Sequence, residues 1–368
     1  MPENWNTYKL GDLLTLNYGK SLTASKRKEG NIPVFSSSGR TGWHNKPLVK
    51  EEGIIVGRKG TVGSIFKTQG PFYCIDTAYY ILRKDPVYDF DFLFYLLHTI
   101  GLNKLNFDSA VPGLNRNIAY DQQISLPPLQ EQKSIASILS ALDDKIELNL
   151  QMNKTLEEMA MALYKHWFVD FGPFQDGEFV DSELGEIPKG WEIKKLEDLL
   201  EIKYGKDHKK LEDGNIPVYG SGGIMRYVDT FLYDQESILI PRKGTLSNLF
   251  YLSKPFWSVD TMFYSKFKKQ NFGKYIFHFL KSQDLASMDV GSAVPSLTTE
   301  LLKRIKILVP SIQEVEKFNE IVSGYFEVME SNKDENKTLT QLRDTLLPKL
   351  ISGEVHVKDV EKTLSEVL

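Results

Sequence analysis

Two long stretches of the chain place apolar residues alternately three and four positions apart, which is the spacing of one face of a helix. A ladder of this kind, sustained over many turns, is typical of helices that pack along each other as a coiled coil. The sequence therefore predicts two long paired helices. The predicted seam positions are Ile135, Ile138, Leu142, Lys145, Asn149, Met152, Leu156, Met159 and Leu163 in the first helix, and Phe318, Ile321, Tyr325, Val328, Asn332, Glu335, Leu339, Leu342 and Leu346 in the second.

Asn149 and Asn332 occupy equivalent places in the two ladders. A polar residue at a single seam position can fix the register of a coiled coil, at some cost in stability. Two interpretations stay open at this point: the asparagines set the helix register, or both face solvent.

The segments before the two helices carry short apolar runs bounded by Gly, Pro and Asp, which is the pattern of β-strands. Gly53 to Val56 and Ser237 to Ile240 are examples. A denser apolar stretch predicts a buried helix in each segment, from Phe90 to Leu97 and from Tyr275 to Leu280. Strands and helices mixed in this way predict an α+β fold.

The two segments are copies of one another. Trp191 follows Trp5 by 186 positions, and later matches keep offsets of 184 and 183. So many identities in one order indicate a tandem duplication. The matched motifs include Tyr18-Gly19-Lys20 with Tyr204-Gly205-Lys206, Asn31-Ile32-Pro33-Val34 with Asn215-Ile216-Pro217-Val218, Arg58-Lys59-Gly60-Thr61 with Arg242-Lys243-Gly244-Thr245, Asp76-Thr77 with Asp260-Thr261, and Ser109-Ala110-Val111-Pro112 with Ser292-Ala293-Val294-Pro295.

The duplication divides the chain into predicted segments. Each copy forms a domain that is followed by a long helix, and a linker separates the first helix from the second domain. The predicted bounds are 1–128 and 191–310 for the domains, 129–172 and 311–353 for the helices, 173–190 for the linker and 354–368 for a C-terminal tail.

Charge is unevenly distributed along the chain. The net charge of −4 and the pI of about 6.0 do not indicate a nucleic-acid-binding protein. Each copy is nevertheless basic, with 15 Lys and Arg against 11 Asp and Glu in residues 1–128, and 18 against 14 in residues 191–310. Because the connecting segments are acidic, two basic modules alternate with acidic ones. This arrangement suits contact with DNA at two places.

Composition also narrows the class of protein. The single cysteine, Cys74, excludes an internal disulfide and fits a reducing cytosol. The start of the chain lacks the pattern of a signal peptide, and no apolar run approaches the roughly 20 residues of a membrane span. We therefore expect a soluble, cytoplasmic protein.

Motifs for catalysis and cofactor binding are missing. Asp85-Pro86-Val87-Tyr88 lacks the second proline of an adenine methyltransferase pocket, and Leu14 stands where a phosphate-binding loop ending in Gly19-Lys20-Ser21 requires glycine. The six histidines are scattered, and one cysteine cannot build a zinc site. The acidic pair Asp143-Asp144 is best explained as a solvated helix face. We therefore predict no catalytic residue, no metal and no cofactor.

The centre of the chain resembles a known family. Leu163 to Phe171, followed by acidic residues and by Gly185 to Trp191, resembles the central conserved region of type I restriction-modification specificity subunits. The resemblance covers almost the whole chain. It extends to Trp5 to Leu13, Pro127 to Gln132 and Leu346 to Glu354, and more loosely to Pro310 to Val315.

The resemblance implies a fold and a function. The fold has two repeated target-recognition domains, each a small twisted β-sheet with helices, in inverted orientation and joined by two long antiparallel helices. Each domain reads one half of a split, asymmetric site in double-stranded DNA. The helices set the spacing and dock two methyltransferase (modification) subunits. Endonuclease and translocase (restriction) subunits complete the complex, and methylation and cleavage belong to these partners.

An alternative from another class stays open. The chain would then be a non-catalytic helical scaffold whose duplicated domains bind protein or carbohydrate. Salt separates the two hypotheses, because DNA binding releases counterions and weakens steeply as ionic strength rises. Association with protein partners alone, independent of salt, would favour the scaffold.

The repeated Arg-Lys-Gly-Thr motif is the leading candidate for DNA contact. Each copy follows a predicted strand and places two cations and a hydroxyl on one loop. Arginine bridges O6 and N7 of guanine, whereas lysine and threonine hold phosphates. The alternative is a tight turn with solvated charges, in which Gly60 and Gly244 serve backbone geometry. The candidate residues are Arg58, Lys59, Thr61, Arg242, Lys243 and Thr245.

Other predicted DNA contacts follow the same reasoning, and each could instead be a solvated connector. Small polar loops let backbone amides approach phosphates, and lysines after Tyr-Gly are phosphate contacts. Charged runs that differ between the copies suit base reading, as do polar residues after the shared Pro-x-Leu turn. The residues are, in that order, Ser37, Ser38, Arg40 and Ser221; Lys20 and Lys206; Lys26, Arg27, Lys28, Lys209 and Lys210; and Asn115, Arg116, Thr298 and Thr299.

An aromatic cluster lies where the first long helix ends. Trp167, Phe168 and Phe171 are candidates for docking a methyltransferase subunit. They can equally seal the junction between the helix and the second domain.

Overall fold

The computed structural model describes residues 4–84, 88–105, 113–288 and 296–360. The chain divides into two compact units, Met1–Asn149 with Lys333–Leu368 and Leu150–Asn332. We call them the first unit and the second unit. Each contains one copy of the duplication, and the boundary between the units falls within both long helices. The predicted loop at 85–87 and the repeated motif at 109–112 and 292–295 lie outside the described residues.

The first unit contains a four-stranded antiparallel sheet with strand order β2-β8-β5-β6, a three-stranded sheet with order β4-β3-β7, and the pair β1-β9. Its strands are β1 (Asn6–Lys9), β2 (Asn17–Tyr18), β3 (Ile32–Ser36), β4 (Gly39–His44), β5 (Gly53–Gly57), β6 (Ile65–Lys67), β7 (Tyr73–Cys74), β8 (Ala78–Leu82) and β9 (Gln123–Leu126). Its helices are α1 (Leu10–Leu13), α2 (Phe90–Thr99) and α3 (Arg116–Tyr120), with 3₁₀ turns at Ala24–Lys26 and Leu102–Lys104; α4 (Leu129–Phe168) begins here and ends in the second unit.

The central strand β5 is buried on both faces, which explains its uninterrupted apolar sequence. Ile54 and Val56 point into the larger core of the unit, and Ile55, between them, points into a second cluster with Phe72 and Cys74. Helix α2 closes the larger core, and Asp89 caps it by accepting hydrogen bonds from the backbone N–H groups two and three positions later, each at 3.0 Å. The predicted buried helix is confirmed.

The second unit repeats this arrangement. It has a four-stranded sheet of order β13-β19-β16-β17, a three-stranded sheet of order β15-β14-β18, and the pairs β12-β20 and β10-β11. Its strands are β10 (Phe179–Ser182), β11 (Gly185–Pro188), β12 (Glu192–Lys195), β13 (Leu200–Tyr204), β14 (Asp213–Gly220), β15 (Gly223–Val228), β16 (Ser237–Pro241), β17 (Phe250–Leu252), β18 (Trp257–Ser258), β19 (Met262–Phe267) and β20 (Lys306–Val309). Its helices are α5 (Leu196–Leu199), α6 (Gly273–Ser282) and α7 (Thr299–Lys303), with a 3₁₀ turn at Gly172–Phe174, and α8 (Ile312–Ser352) begins here and ends in the first unit. The predicted α+β fold is confirmed.

The long helices run antiparallel in both units. In the first unit, Asp143 of α4 accepts a hydrogen bond from Nη1 of Arg343 at 2.7 Å, whereas Lys145, two residues later on α4, pairs with Glu335 at 3.2 Å, earlier on α8. In the second unit, Asn153 donates to the carbonyl oxygen of Met329 at 3.2 Å. Residue numbers therefore rise along one helix as they fall along the other.

The seam between the helices is only partly at the predicted positions. Leu142, Asn149, Phe318 and Asn332 are buried as expected. The expectation is wrong at several positions, where a ladder of 3.5 residues has drifted from a straight helix of 3.6 residues per turn. Met152, Met159, Ile321 and Val328 are exposed, and the buried or half-buried positions are the next residues, Asn153, Ala160, Val322 and Met329.

The seam asparagines do not face solvent. In the first unit, Nδ2 of the fully buried Asn149 donates to Oε2 of Glu335 at 2.7 Å and to Oδ1 of Asn336 at 2.9 Å. In the second unit, Nδ2 of the buried Asn332 donates to Oδ1 of Asn153 at 2.8 Å. Each unit thus holds one pair of asparagines across its helices, which favours the register interpretation.

The acidic residue Asp143 is not part of a solvated face. It is half-buried and accepts a hydrogen bond from the Tyr95 hydroxyl at 2.7 Å as well as from Arg343.

Among the described residues, no helix is both long enough and apolar enough to span a bilayer.

Candidate nucleic-acid interface

The Arg-Lys-Gly-Thr loop of the first unit leaves strand β5 and is fixed by its backbone. The N–H groups of Arg58 and Lys59 both donate to the carbonyl oxygen of Thr77, at 2.9 and 3.0 Å. The carbonyl of Arg58 accepts from Leu114 N–H at 2.9 Å. Gly60 has a φ of +77°, a conformation that glycine adopts without strain.

The second unit builds the same loop. Arg242 and Lys243 donate from their backbone to the carbonyl oxygen of Thr261, at 2.8 and 3.2 Å, and Leu297 N–H donates to the Arg242 carbonyl at 2.9 Å. Gly244 has a φ of +90°. The turn geometry expected of the two glycines is therefore present, and it leaves the side chains after each arginine exposed.

The arginine side chains are partly occupied within the protein. Nε and Nη2 of Arg58 donate to the carbonyl oxygen of Asp76, at 3.1 and 2.8 Å, and its guanidinium lies 5.3 Å from the centre of the Tyr18 ring. Nη1 of Arg242 donates to the Asp260 carbonyl at 3.2 Å, and its guanidinium lies 5.3 Å from the Tyr204 ring. Both arginines thus position their loop.

The exposed members of the two loops are the lysines and threonines. Lys59, Thr61, Lys243 and Thr245 are all exposed. Beneath the first loop lies Tyr79, whose burial and hydrogen bond with Tyr18 raise its pKa to about 12, so that its ring stays neutral. Each loop thus presents one ammonium group and one hydroxyl to solvent.

The hairpin turn after β3 packs against the loop of the first unit. Ser64 Oγ donates to the Ser37 carbonyl, and Ser37 N–H donates to the Thr77 hydroxyl at 3.3 Å. Because Ser37 is buried, the prediction that it touches DNA is wrong. Ser38 is exposed, but its N–H donates to Ser36 Oγ at 3.1 Å and is not free for a phosphate.

The corresponding turn of the second unit makes an equivalent contact. Asn248 Nδ2 donates to the Ser221 carbonyl at 2.8 Å, and a Cβ at Gly244 would lie 2.6 Å from Ser221 Oγ. Ser221 is half-buried. In both units, therefore, the hairpin turn and the Arg-Lys-Gly-Thr loop form one continuous surface.

The Tyr-Gly-Lys motif joins the same surface. Lys20 and Lys206 are exposed, and their N–H groups donate to the carbonyl oxygens of Cys74 at 2.9 Å and Ser258 at 2.8 Å. Glycine is required before each lysine. A Cβ at Gly19 would lie 2.1 Å from the Ile75 carbonyl oxygen, and a Cβ at Gly205 would lie 2.0 Å from the Val259 carbonyl oxygen.

The residues after the Pro-x-Leu turn are mostly structural. Asn115 Oδ1 caps α3 by accepting from Asn117 and Ile118 N–H at 2.9 and 3.3 Å, and Thr298 Oγ1 caps α7 by accepting from Leu301 N–H at 3.2 Å. The caps give both residues a structural role, and their predicted contact with DNA stays a prediction.

Thr299 is buried, which argues against the prediction that it contacts DNA. Arg116, its counterpart in the first unit, is half-exposed instead. The Arg116 guanidinium lies 5.3 Å from the Tyr18 ring and so borders the surface described above.

The charged runs divide between structural and exposed residues. Arg27 Nη1 donates to the Thr41 carbonyl on β4 at 2.5 Å, so Arg27 positions its loop, and its contact with DNA stays a prediction. Its neighbours Lys26 and Lys28 are exposed. In the second unit Lys209 and Lys210 are exposed, as is Arg40 on the first hairpin.

Within the part of the chain that the structure describes, no three His, Cys, Asp or Glu side chains lie close enough together to hold a metal ion.

Both copies of the duplication are similar to known proteins. The family model of the type I restriction modification DNA specificity domain matches residues 2–158 and again residues 188–341. The chain belongs to this family. Each match covers one copy of the duplication and most of the long helix that follows it, and we call each matched region a specificity domain below.

Individual relatives agree with the family. The chain is 28% identical to the type I restriction enzyme MjaIX specificity subunit of Methanocaldococcus jannaschii, over 98% of this chain and 95% of that protein. It is 27% identical to the HindI specificity subunit of Haemophilus influenzae, over 63% and 69%. Its fold resembles the crystal structure of a type I restriction-modification S subunit from M. genitalium, with a TM-score of 0.62, 22% identity and coverage of 94% and 96%.

The aromatic cluster at the end of α4 belongs to the core of the second unit. Phe168 is buried, with ring centres 4.8 Å from Tyr275 and 5.2 Å from Phe318. The predicted docking role is wrong for Phe168 because no partner can reach it. Trp167 and Phe171 are half-buried and pack against the same core, so the cluster seals the junction between α4 and the second specificity domain.

Sequence reasoning missed several residues of the surface. The exposed rings of Tyr18 and Tyr204 each lie under an arginine, and the Asp-Thr pairs at 76–77 and 260–261 supply its carbonyl acceptors. All of them lie in motifs shared by the two copies, so the duplication itself was the available signal. The hairpin residue Trp43 was also missed, and its only signal is a large aromatic residue between polar neighbours.

Proposed function

We propose that the chain is the sequence-reading subunit of a type I restriction-modification complex, with each specificity domain reading one half of a split, asymmetric DNA site. The observation that carries the proposal is the recurrence, in two units, of one rigid loop that presents an exposed lysine and threonine next to a second exposed lysine. Lysines in such positions hold phosphates, and the surface beside them reads the bases. The chain itself carries no catalytic residue in this proposal.

The long helices set the spacing of the two half-sites in this proposal. Helix α4 has 40 residues, which corresponds to about 60 Å at a rise of 1.5 Å per residue. The buried asparagine pairs would fix the register of the two helices. We assign the reading role to residues 1–128 and 191–310, the spacing role to 129–172 and 311–353, and the connection to 173–190, with 354–368 as a tail.

Catalysis is assigned to partner subunits. The relatives are named as specificity subunits of type I restriction enzymes, so we propose that the chain binds two methyltransferase subunits and, in the full complex, restriction subunits. The helix faces are the proposed docking surface, since the cluster at Phe168 is buried. The cytoplasm is the proposed compartment, because the DNA and the partners meet there.

The test is to co-express the chain with a cognate methyltransferase subunit and to map methylated adenines in the host genome. We expect a motif of two specified parts separated by a gap of unspecified bases. An unmethylated genome, or an undivided motif, would contradict the proposal.

A salt titration separates DNA reading from a scaffold role. Binding of the complex to DNA that contains the mapped motif should weaken steeply between low and moderate salt. An association that needs only protein partners and does not respond to salt would instead support the scaffold.

A further inference from the structure

We infer that the edge hairpins β3–β4 and β14–β15 read the bases, and that Arg40 in the first domain and Ile224 with Met225 in the second select different ones. This inference rests on the proposed function and names the residues that give each domain its specificity.

The two hairpins share the same strand pairing next to their turns. Phe35 pairs with Arg40 and Val34 with Gly42 in the first hairpin, with a bulge between the pairs that leaves Thr41 extra. Tyr219 pairs with Ile224 and Val218 with Arg226 in the second, with the bulge in the same place. In both domains the second strand lies at the edge of its sheet, so its outer side is open.

An arginine ties the loop before each hairpin to the hairpin itself. It lies in the loop in the first domain and on the second strand of the hairpin in the second domain. In the first, Arg27 of the loop reaches β4 and lies over Gly42, where a Cβ would be 2.9 Å from its Nη1. In the second, the residue equivalent to Gly42 is Arg226, whose Nη2 reaches back to the Leu211 carbonyl at 2.9 Å and to Asp213 at 2.8 Å. Both domains thus tie the loop to the hairpin through an arginine, although the arginine lies at a different position in each.

Two neighbouring outward side chains differ in kind between the hairpins. In the first hairpin the exposed Arg40 lies 4.9 Å from the ring centre of Trp43, which is 47% exposed. In the second, Ile224 and Met225, equivalent to Arg40 and Thr41, are apolar and 49% and 59% exposed, whereas Tyr227, equivalent to Trp43, is again an exposed aromatic residue. A constant frame with divergent exposed residues is what two readers of different half-sites require.

The chemistry of these residues matches the edges of different bases. The major groove admits a two-stranded β-ribbon, in which arginine contacts O6 and N7 of guanine and apolar side chains contact the methyl group of thymine. Arg40 therefore suits a guanine in the first half-site. Ile224 and Met225 suit at least one thymine in the second.

DNA, and not a protein, is the occupant that the surroundings favour. Each hairpin turn is hydrogen-bonded to the loop region that presents Lys59 or Lys243, so the hairpins continue the phosphate-binding surface. Exposed lysines flank both hairpins. They are Lys26 and Lys28 in the first domain and Lys209 and Lys210 in the second.

The experiment uses the complex of the full chain with its methyltransferase subunit. Adenine methylation is mapped for wild type, Arg40→Ala, Ile224→Ala with Met225→Ala, and Lys50→Ala as a control on an exposed residue between β4 and β5. We expect Arg40→Ala to relax one guanine position of the first half by at least about fivefold. The double variant should relax a thymine position of the second half only, and the control should retain the wild-type motif.

A binding measurement tests the thymine contact directly. Deoxyuridine in place of thymine removes only the methyl group, so it should weaken wild-type binding about fourfold when placed in the second half-site. The double variant should not respond to this replacement.

The outcomes separate this inference from the proposed function. A split motif that stays unchanged in both variants would overturn the inference and leave the proposed function standing. Loss of assembly with the methyltransferase, with specificity retained, would assign the hairpins to protein binding and also overturn it. If wild type methylates no split motif, the proposed function itself fails.

Discussion

At the scale of single residues, arginine and lysine in the same loop have separate roles. Arg58 is tied to the Asp76 carbonyl and the Tyr18 ring, whereas Lys59 is exposed. The sequence predicts both as DNA contacts, because neighbouring cations on a loop cannot be distinguished without their acceptors. The acceptor of Arg58 lies 18 positions away along the chain, and only the fold brings it close.

Replacing each residue in turn separates these roles. Lys59→Ala should weaken DNA binding a few-fold and lower the salt slope by about one, since one phosphate contact is lost, with no measurable change in the free energy of unfolding. Arg58→Ala should cost about 1–2 kcal/mol of stability, because its charged hydrogen bonds are lost. Affinity is measured over a range of salt and stability by urea unfolding, with Lys50→Ala as control.

An unchanged affinity and salt slope for Lys59→Ala would remove this loop from the DNA-binding surface. Equal losses of stability in the two variants would contradict the division of roles between Arg58 and Lys59.

A buried histidine gives the second unit a dependence on pH. Burial lowers the pKa of His278 to about 4, and its Nδ1 lies 2.7 Å from the Lys274 carbonyl oxygen. Between the ordinary pKa of about 6.5 and this value, the unfolded chain binds a proton that the folded chain does not. The free energy of unfolding should therefore fall as pH falls through this window, by roughly 3 kcal/mol in total.

Urea unfolding of wild type and His278→Gln at several pH values between 7 and 4 measures this contribution. The carboxylates affect both proteins alike, so the difference between the two curves isolates the histidine. Two parallel curves would show that His278 does not carry the predicted dependence.

At the scale of elements, the sequence predicts which helices and strands exist better than it predicts which of their faces are buried. The strand at Gly53, the buried helix at Phe90 and both long helices are where the apolar pattern places them. The buried positions of the long helices are harder to predict, because each long helix packs against the other helix and also against a domain. Apolar spacing alone does not say which contact a residue makes, and a ladder of 3.5 drifts off a straight helix.

The asparagine pair of the first unit gives a test at this scale. Asn149→Leu should cost about 1–3 kcal/mol, because Asn336 and Glu335 lose a buried partner. Changing Asn336 to leucine as well should restore much of the loss, since apolar pairs fill a helix seam well. A double-mutant cycle by urea unfolding measures the coupling, and strictly additive losses would contradict a direct interaction between the two amides.

At the scale of the whole molecule, the overall net charge is a poor guide to function, whereas the tandem duplication is a good guide to structure. The net charge of −4 argues against DNA, but it averages basic domains with acidic connectors. The duplication predicts two equivalent surfaces, and the structure places the same loop, hairpin and Tyr-Gly-Lys turn in each unit. The individual contacts, such as the caps formed by Asn115 and Thr298, depend on local geometry that the sequence does not contain.

The central claim is that each copy of the duplication reads its own half of the DNA site. The most direct measurement replaces residues 191–310 with residues 5–127, so that one chain carries the first reader twice, and maps adenine methylation with the methyltransferase subunit. The account predicts a motif with two identical halves, both equal to the first half of the wild-type motif. A motif whose second half is unchanged would contradict it.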